Sequence, residues 1–135
     1  MDSKNTVKIP LPDKEIEKEL KQDIRVRFIT TIPYFGPGAA RLLELIEEKQ
    51  SVSLACKSMG MSYSKGWKIL QKIKAATNHD AVLTQKGGNN GGLTVLTPYG
   101  KKLLVSFRQY ERDVQEYSKQ RFEFFLSEQE EDFDE

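Results

Sequence analysis

The residues best placed to do chemistry in this sequence are cationic. Lys65, Lys68 and Lys72 recur at i, i+3 and i+7, which places them along one face of a helix. Ser62, Tyr63 and Ser64 stand just ahead, where that helix would begin. An ammonium group neutralises a phosphate, and Lys or Ser near a helix N-terminus can reach base edges. The helix terminus itself favours an anion. A second cluster follows at Lys86-Gly-Gly-Asn-Asn-Gly-Gly92, where Lys86, Asn89 and Asn90 add a cation and two amides. Together these types point to binding of a polyanion. A solvated lysine face is the bland alternative, and the elements around it decide between the two. Tyr63 is open as well: its ring packs in the core or its hydroxyl meets a phosphate.

Catalytic material is scarce by contrast. One cysteine, Cys56, excludes an internal disulfide and leaves a cysteine-based zinc site without ligands. One histidine, His79, leaves multi-histidine metal sites and Ser-His-Asp chemistry unsupported. Cys56 reads as a small core residue, and His79 as a helix-end or loop residue. No phosphate-binding GxxxxGK[ST] loop is present. No cofactor, metal or small-molecule effector is indicated, and a non-enzyme is expected.

The 135 residues suit one domain with tails. The formal net charge of +1 conceals strong segregation. Residues 24–110 carry 13 bases and 4 acids, residues 1–23 carry 5 and 6, and residues 111–135 carry 3 and 10. The body is therefore at +9 between ends at −1 and −7, and the basic charge sits where the lysine face does. No apolar run approaches the roughly 20 residues of a membrane span, and the N-terminus has no apolar signal stretch. With a single cysteine, a reduced, cytoplasmic compartment is the expectation.

Local signals supply the elements that must position these residues. Residues 1–23 read as a polar extension, with a short helix from Asp13 to about Gln22. Residues 24–32 alternate, with Ile24, Val26 and Phe28 on one side and Arg25 and Arg27 on the other, as in a half-buried strand. A helix from about Pro37 to Lys49 has Leu42, Leu43, Leu45 and Ile46 as its apolar stripe. A short helix from about Val52 to Met59 takes Ser51 or Ser53 as cap, and Gly60 suits its exit. Ser62 caps a third helix running to about Thr77, with Tyr63, Trp67, Leu70 and Ile73 on its core face. Two helices joined by a short Gly-containing turn form a helix-turn-helix signature. Strands at Ala81–Gln85 and Leu93–Leu96 flank the Gly/Asn tip as a hairpin. Thr97-Pro98 opens a long last helix to about residue 125, and residues 126–135 read as an acidic disordered tail.

This order describes a mainly α fold with a small β component: a winged helix-turn-helix over residues 24–100 with a long C-terminal dimerisation helix over 98–125. Helix 62–77 would enter the major groove of double-stranded DNA, and the wing at 86–92 would touch the backbone or minor groove. Leu103, Phe107, Tyr110, Val114 and Tyr117 fall at spacings of 4, 3, 4 and 3, an a/d seam. Its early part has the alternative of packing only on its own domain, but continuation past Tyr110 favours a partner helix from a second copy of the chain.

Residues 24–110 also resemble the N-terminal domain of ModE, the molybdate-responsive bacterial transcription regulator. Three segments carry the resemblance: Phe35-Gly-Pro-Gly-Ala-Ala-Arg-Leu-Leu-Glu-Leu-Ile46, Met59-Gly-Met-Ser-Tyr-Ser-Lys-Gly-Trp67, and Lys86-Gly-Gly-Asn-Asn-Gly-Gly-Leu-Thr-Val-Leu-Thr-Pro-Tyr-Gly100. The resemblance implies a dimeric, sequence-specific regulator whose third helix and wing contact operator DNA. Two departures stand out. The chain ends about 35 residues after the wing helix begins, so the family's oxyanion-binding domains are expected to be absent. Gly66 stands mid-helix, where the family often has Ala. Two other function classes remain as alternatives. One is a protein-interaction adaptor that docks through Arg121–Glu135, and the other a small oxyanion-binding protein.

Overall fold

The computed structural model describes residues 19–86 and 92–133, with side chains to residue 130. The expected helix from Asp13 lies mostly outside that range, and its last residues, 19–22, carry no helix. Two strands come first, β1 (Phe28–Ile29) and β2 (Pro33–Phe35). Helices α1 (Pro37–Lys49), α2 (Val52–Ser58) and α3 (Tyr63–Thr77) follow. The chain then forms β3 (Val82–Gln85), β4 (Leu93–Leu96) and α4 (Pro98–Phe133). The result is mainly helical, with two separate two-stranded antiparallel sheets. No described helix is long and apolar enough to cross a membrane.

Helix α1 is the spine. Its Ala40, Leu42, Leu43 and Ile46 are fully excluded from solvent, and α2, α3, α4 and β4 all touch it. It opens at Pro37, where the missing N–H costs nothing, and closes at Gln50 in the left-handed region at φ 55. The Gln50 carbonyl accepts from the Thr94 N–H at 3.0 Å, which fixes the wing strand β4 to the end of α1. From α4, Phe107 enters the core at 0% exposure. Phe28 and Phe35 each meet its ring edge-on at 5.1 Å. Beside it, Arg108 donates to Glu44 of α1 at 2.7 Å and to Glu111 at 2.9 Å.

The helix-turn-helix is built from local chemistry. Ser51 Oγ accepts from the Leu54 N–H and Ser62 Oγ from the Lys65 N–H, each at 3.1 Å, so both helices start on a side-chain cap. Gly60 adopts φ 67, and the Met61 N–H returns to the Cys56 carbonyl at 3.0 Å to close α2. Gly66 faces Cys56: a Cβ there would overlap the sulfur. The missing side chain lets α2 and α3 approach closely, which offsets the helix propensity lost at Gly66.

Three expectations need correction. The strand over 24–32 pairs only at Phe28↔Phe35 and Ile29↔Pro33. Its burial alternates from Ile24 to Phe28, but its partner there is α4. Gln115 Nε2 donates to the Ile24 carbonyl at 2.8 Å and Ser118 Oγ donates to Gln22 Oε1 at 2.9 Å. Tyr63 leaves the core face and is 56% exposed, its ring set edge-on to Trp67. Helix α4 continues past residue 125 to Phe133. No Gly or Pro interrupts the chain after Gly100, and Glu and Gln are good helix formers, so nothing local ends the helix earlier.

Candidate nucleic-acid interface

Helix α3 turns Gly66, Leu70 and Ile73 inward. Its opposite face presents Lys65, Lys68 and Lys72 to solvent. Among the described residues none of these three ammonium groups has an ion-pair or hydrogen-bond partner. Lys74, on the wing side of the same helix, differs: it pairs with Asp80 at 3.3 Å. The helix thus keeps its spare charge on one side. That arrangement suits an external anion, since an internal partner would have screened the charge already.

Ser62 and Ser64 are exposed at the start of α3. The Ser62 oxygen is engaged as the cap, leaving its hydroxyl proton free to donate outward. Tyr63 stands exposed beside them, which places its hydroxyl on the same solvent-facing end. Cys56 lies beneath, 1% exposed. Burial pushes its thiol up from the ordinary value, and a hydrogen bond with the Gly66 backbone only partly counters this. A buried thiol held neutral is a packing group.

The wing follows on the other side of α3. Strands β3 and β4 pair in register from Val82↔Leu96 to Gln85↔Leu93. Thr97 Oγ1 accepts from the Gly100 N–H at 3.0 Å and donates to the Asp80 carbonyl at 2.6 Å, tying the base of the wing to α4. Lys86 is exposed where the ladder ends. Asn89 and Asn90 lie outside the described residues. Two further cations share a groove with Lys72: Arg25 and Arg27, on the segment that enters β1. The alternation of residues 24–28 exposed both arginines in the sequence, but nothing local indicated which element they would flank.

The expected dimer seam divides in two. Leu103 and Phe107 are 7% and 0% exposed within their own domain, so they are core residues and not partner contacts. Their spacing met the a/d pattern because one helical stripe serves its own core first. Farther along, Val114 is half-buried, and Tyr110 and Tyr117 are 53% and 66% exposed. Phe124 and Phe125 are also exposed, with Arg121 lying over the Phe124 ring at 5.0 Å.

No protein-family model matches the chain. Individual relatives do. The molybdenum transport protein ModE of Azotobacter vinelandii is 33% identical over 75 residues, 56% of this chain and 28% of that protein. The transcriptional regulator ModE of Haemophilus influenzae is 32% identical over 79 residues, covering 58% of this chain and 31% of its own length. The DNA-binding transcriptional dual regulator ModE of Escherichia coli K12 is 34% identical over 71 residues, 53% and 27% of the two chains. The chain therefore spans less than a third of the length of these curated relatives. Over rather more than half of its own length, and with the winged helix just described, this chain is similar to ModE regulators.

Proposed function

We propose that the chain is a DNA-binding transcriptional regulator that acts as a homodimer in the cytoplasm. Helix α3 enters the major groove, and the wing at 86–92 rests on the flanking backbone or minor groove. One observation carries this reading: three lysines with no partner among the described residues line the solvent face of a capped helix held in a helix-turn-helix. Ser62, Tyr63 and Ser64 stand at the end of α3 nearest the base edges, and Lys86, Asn89 and Asn90 serve the wing. The names of the relatives point the same way, two as transcriptional regulators and one of these as DNA-binding.

Support for the second copy comes from α4. Its 36 residues span about 54 Å at ~1.5 Å per residue, well beyond the domain core. An isolated helical extension is marginal in water without a packed face. Tyr110, Val114, Tyr117 and Phe124 keep the seam's phase past that core. A partner helix along them would set two α3 helices at half-sites about one DNA turn apart.

The test is binding to duplexes from the upstream region of its own gene across a salt series. Affinity that falls steeply with salt, and favours these duplexes over unrelated DNA, is the expected result. Salt-independent or absent binding overturns the reading. The exposed Arg121, Phe124 and Phe125 also favour a second reading, a protein-docking end on α4. Partner binding lost on deleting 121–135, with DNA affinity indifferent to α3, would support that one.

A further inference from the structure

A groove of about 260 Å³ opens between the N-terminal segment and α3. Arg25 and Arg27 line it from the N-terminal segment, Ile69 and Lys72 from α3, and Tyr34 and Gly36 from the end of β2 and the turn before α1. Both arginines are exposed, and among the described residues neither has an ion-pair or hydrogen-bond partner. Among the described residues no acidic side chain lines the groove. Three cations thus converge from two elements that the fold brings together. Like charges gathered without counterions repel one another, and an external anion relieves that repulsion.

The placement is held firmly. Arg27 lays its side chain against Gly36, where a Cβ would come within 3.1 Å of Arg27 Cγ. The Gln115–Ile24 hydrogen bond and the Phe28–Phe107 ring contact anchor the segment on either side of the two arginines. The two arginines therefore sit on a braced extended segment, so its backbone needs little ordering to meet a ligand. Lys72 belongs both to this groove and to the lysine face of α3, so it links Lys65 and Lys68 to Arg25 and Arg27.

We propose that Arg25 and Arg27 form a backbone clamp, binding phosphates of the DNA strand that borders the major groove occupied by α3. The inference rests on the DNA-binding reading and extends it to a third element beside α3 and the wing. Guanidinium binds phosphate through paired N–H donors, which suits two arginines spaced along one side of the extended segment before β1. Contacts of this kind set the register of the protein on the duplex and carry no base information. Opposite α3, the wing would hold the other flank, so α3 lies between two backbone contacts.

The experiment compares the full chain with the R25Q/R27Q variant, on upstream duplex and on calf-thymus DNA, across a salt series. Each phosphate contact contributes about 0.9 to the slope of log affinity against log salt, so the slope should fall by about 1.8. At 0.1 M salt that corresponds to a loss of about sixtyfold, equal on both DNAs. The R25K/R27K variant keeps the charge and should recover most of the slope. Thermal unfolding midpoints show whether the glutamine variant keeps its fold; where it does not, the single variants R25Q and R27Q are read in its place, each expected to lower the slope by about 0.9, and an unchanged slope in both overturns the clamp. Unchanged slope and affinity in folded R25Q/R27Q overturn the clamp while leaving the DNA-binding reading intact. So does a loss confined to upstream duplex, which would mean base readout. Absence of salt-dependent binding by the unaltered chain overturns that reading itself, and the clamp with it.

Discussion

Gly66 of α3 lies directly against the sulfur of Cys56 in α2, with no room for a side chain between them. The contact sets how closely the two helices of the helix-turn-helix approach, and hence how α3 stands out from the domain. Gly66→Ala gains about 1 kcal/mol of helix propensity but must displace a buried sulfur, at about 1–3 kcal/mol. A net loss of about 1 kcal/mol is expected in chemical denaturation. Cys56→Ala in the same chain removes the obstructing atom, so the double variant should be more stable than the sum of the single changes predicts. Strict additivity would refute the contact as the cause.

The Cys56 thiol also gives a pH dependence. Burial raises its pKa in the folded chain above the value in the unfolded one. The unfolded chain therefore loses that proton first as pH rises, and folding stability falls. The loss begins near the ordinary thiol range, about 8.5, and continues until the folded pKa is passed. Below that range the group contributes no pH dependence. Unfolding measured between pH 7 and 10 should show a decline that is shallower in Cys56→Ala. Equal slopes in the two proteins would refute it.

The division of α4 predicts two distinct phenotypes from one stripe. Phe107→Ala opens a cavity under Phe28 and Phe35 and should cost about 3–5 kcal/mol of domain stability. Tyr117→Asp with Phe124→Asp alters exposed positions only, so the domain's unfolding midpoint should hardly move. On the proposed dimer, sedimentation should show two chains for the unaltered protein and one for this second variant. A dimer that survives both aspartates places the contact elsewhere.

Much of the fold was legible because it is written in short-range chemistry. Ser51, Ser62 and Thr97 are caps that a sequence announces three residues ahead, and Gly60 marks the turn between α2 and α3. The bounds of α1 and β4 follow from Pro37 and from alternation in the same way. What escaped depends on contacts between distant residues. Nothing near Phe28 says that it will meet Phe107 and Tyr110, so the extended segment before β1 read as a sheet strand when its neighbour is a helix. Tyr63 shares a helical face with Trp67 and Leu70, but it lies in the first turn, beyond the edge of the core. At the site itself the lysine face was plain from its spacing. Its continuation into Arg25 and Arg27 was hidden, because that groove joins residues more than 40 positions apart.

The lysine face yields the most direct test of function. Lys65, Lys68 and Lys72 are exposed and hold no partner among the described residues, so replacing all three by Ala should leave stability within about 0.5 kcal/mol per site. If each meets a phosphate, the salt slope of DNA binding should fall by about 2.7. If any reaches a base edge, upstream duplex should suffer beyond that general loss, by about 1–3 kcal/mol per base contact. The two effects separate on one pair of titrations, with upstream duplex and calf-thymus DNA run side by side. Equal losses on both would assign the lysines to the backbone and move base readout to Ser62, Tyr63 and Ser64. A larger loss on upstream duplex would assign it to α3's own cations. Retained affinity for both DNAs would remove α3 from the interface altogether.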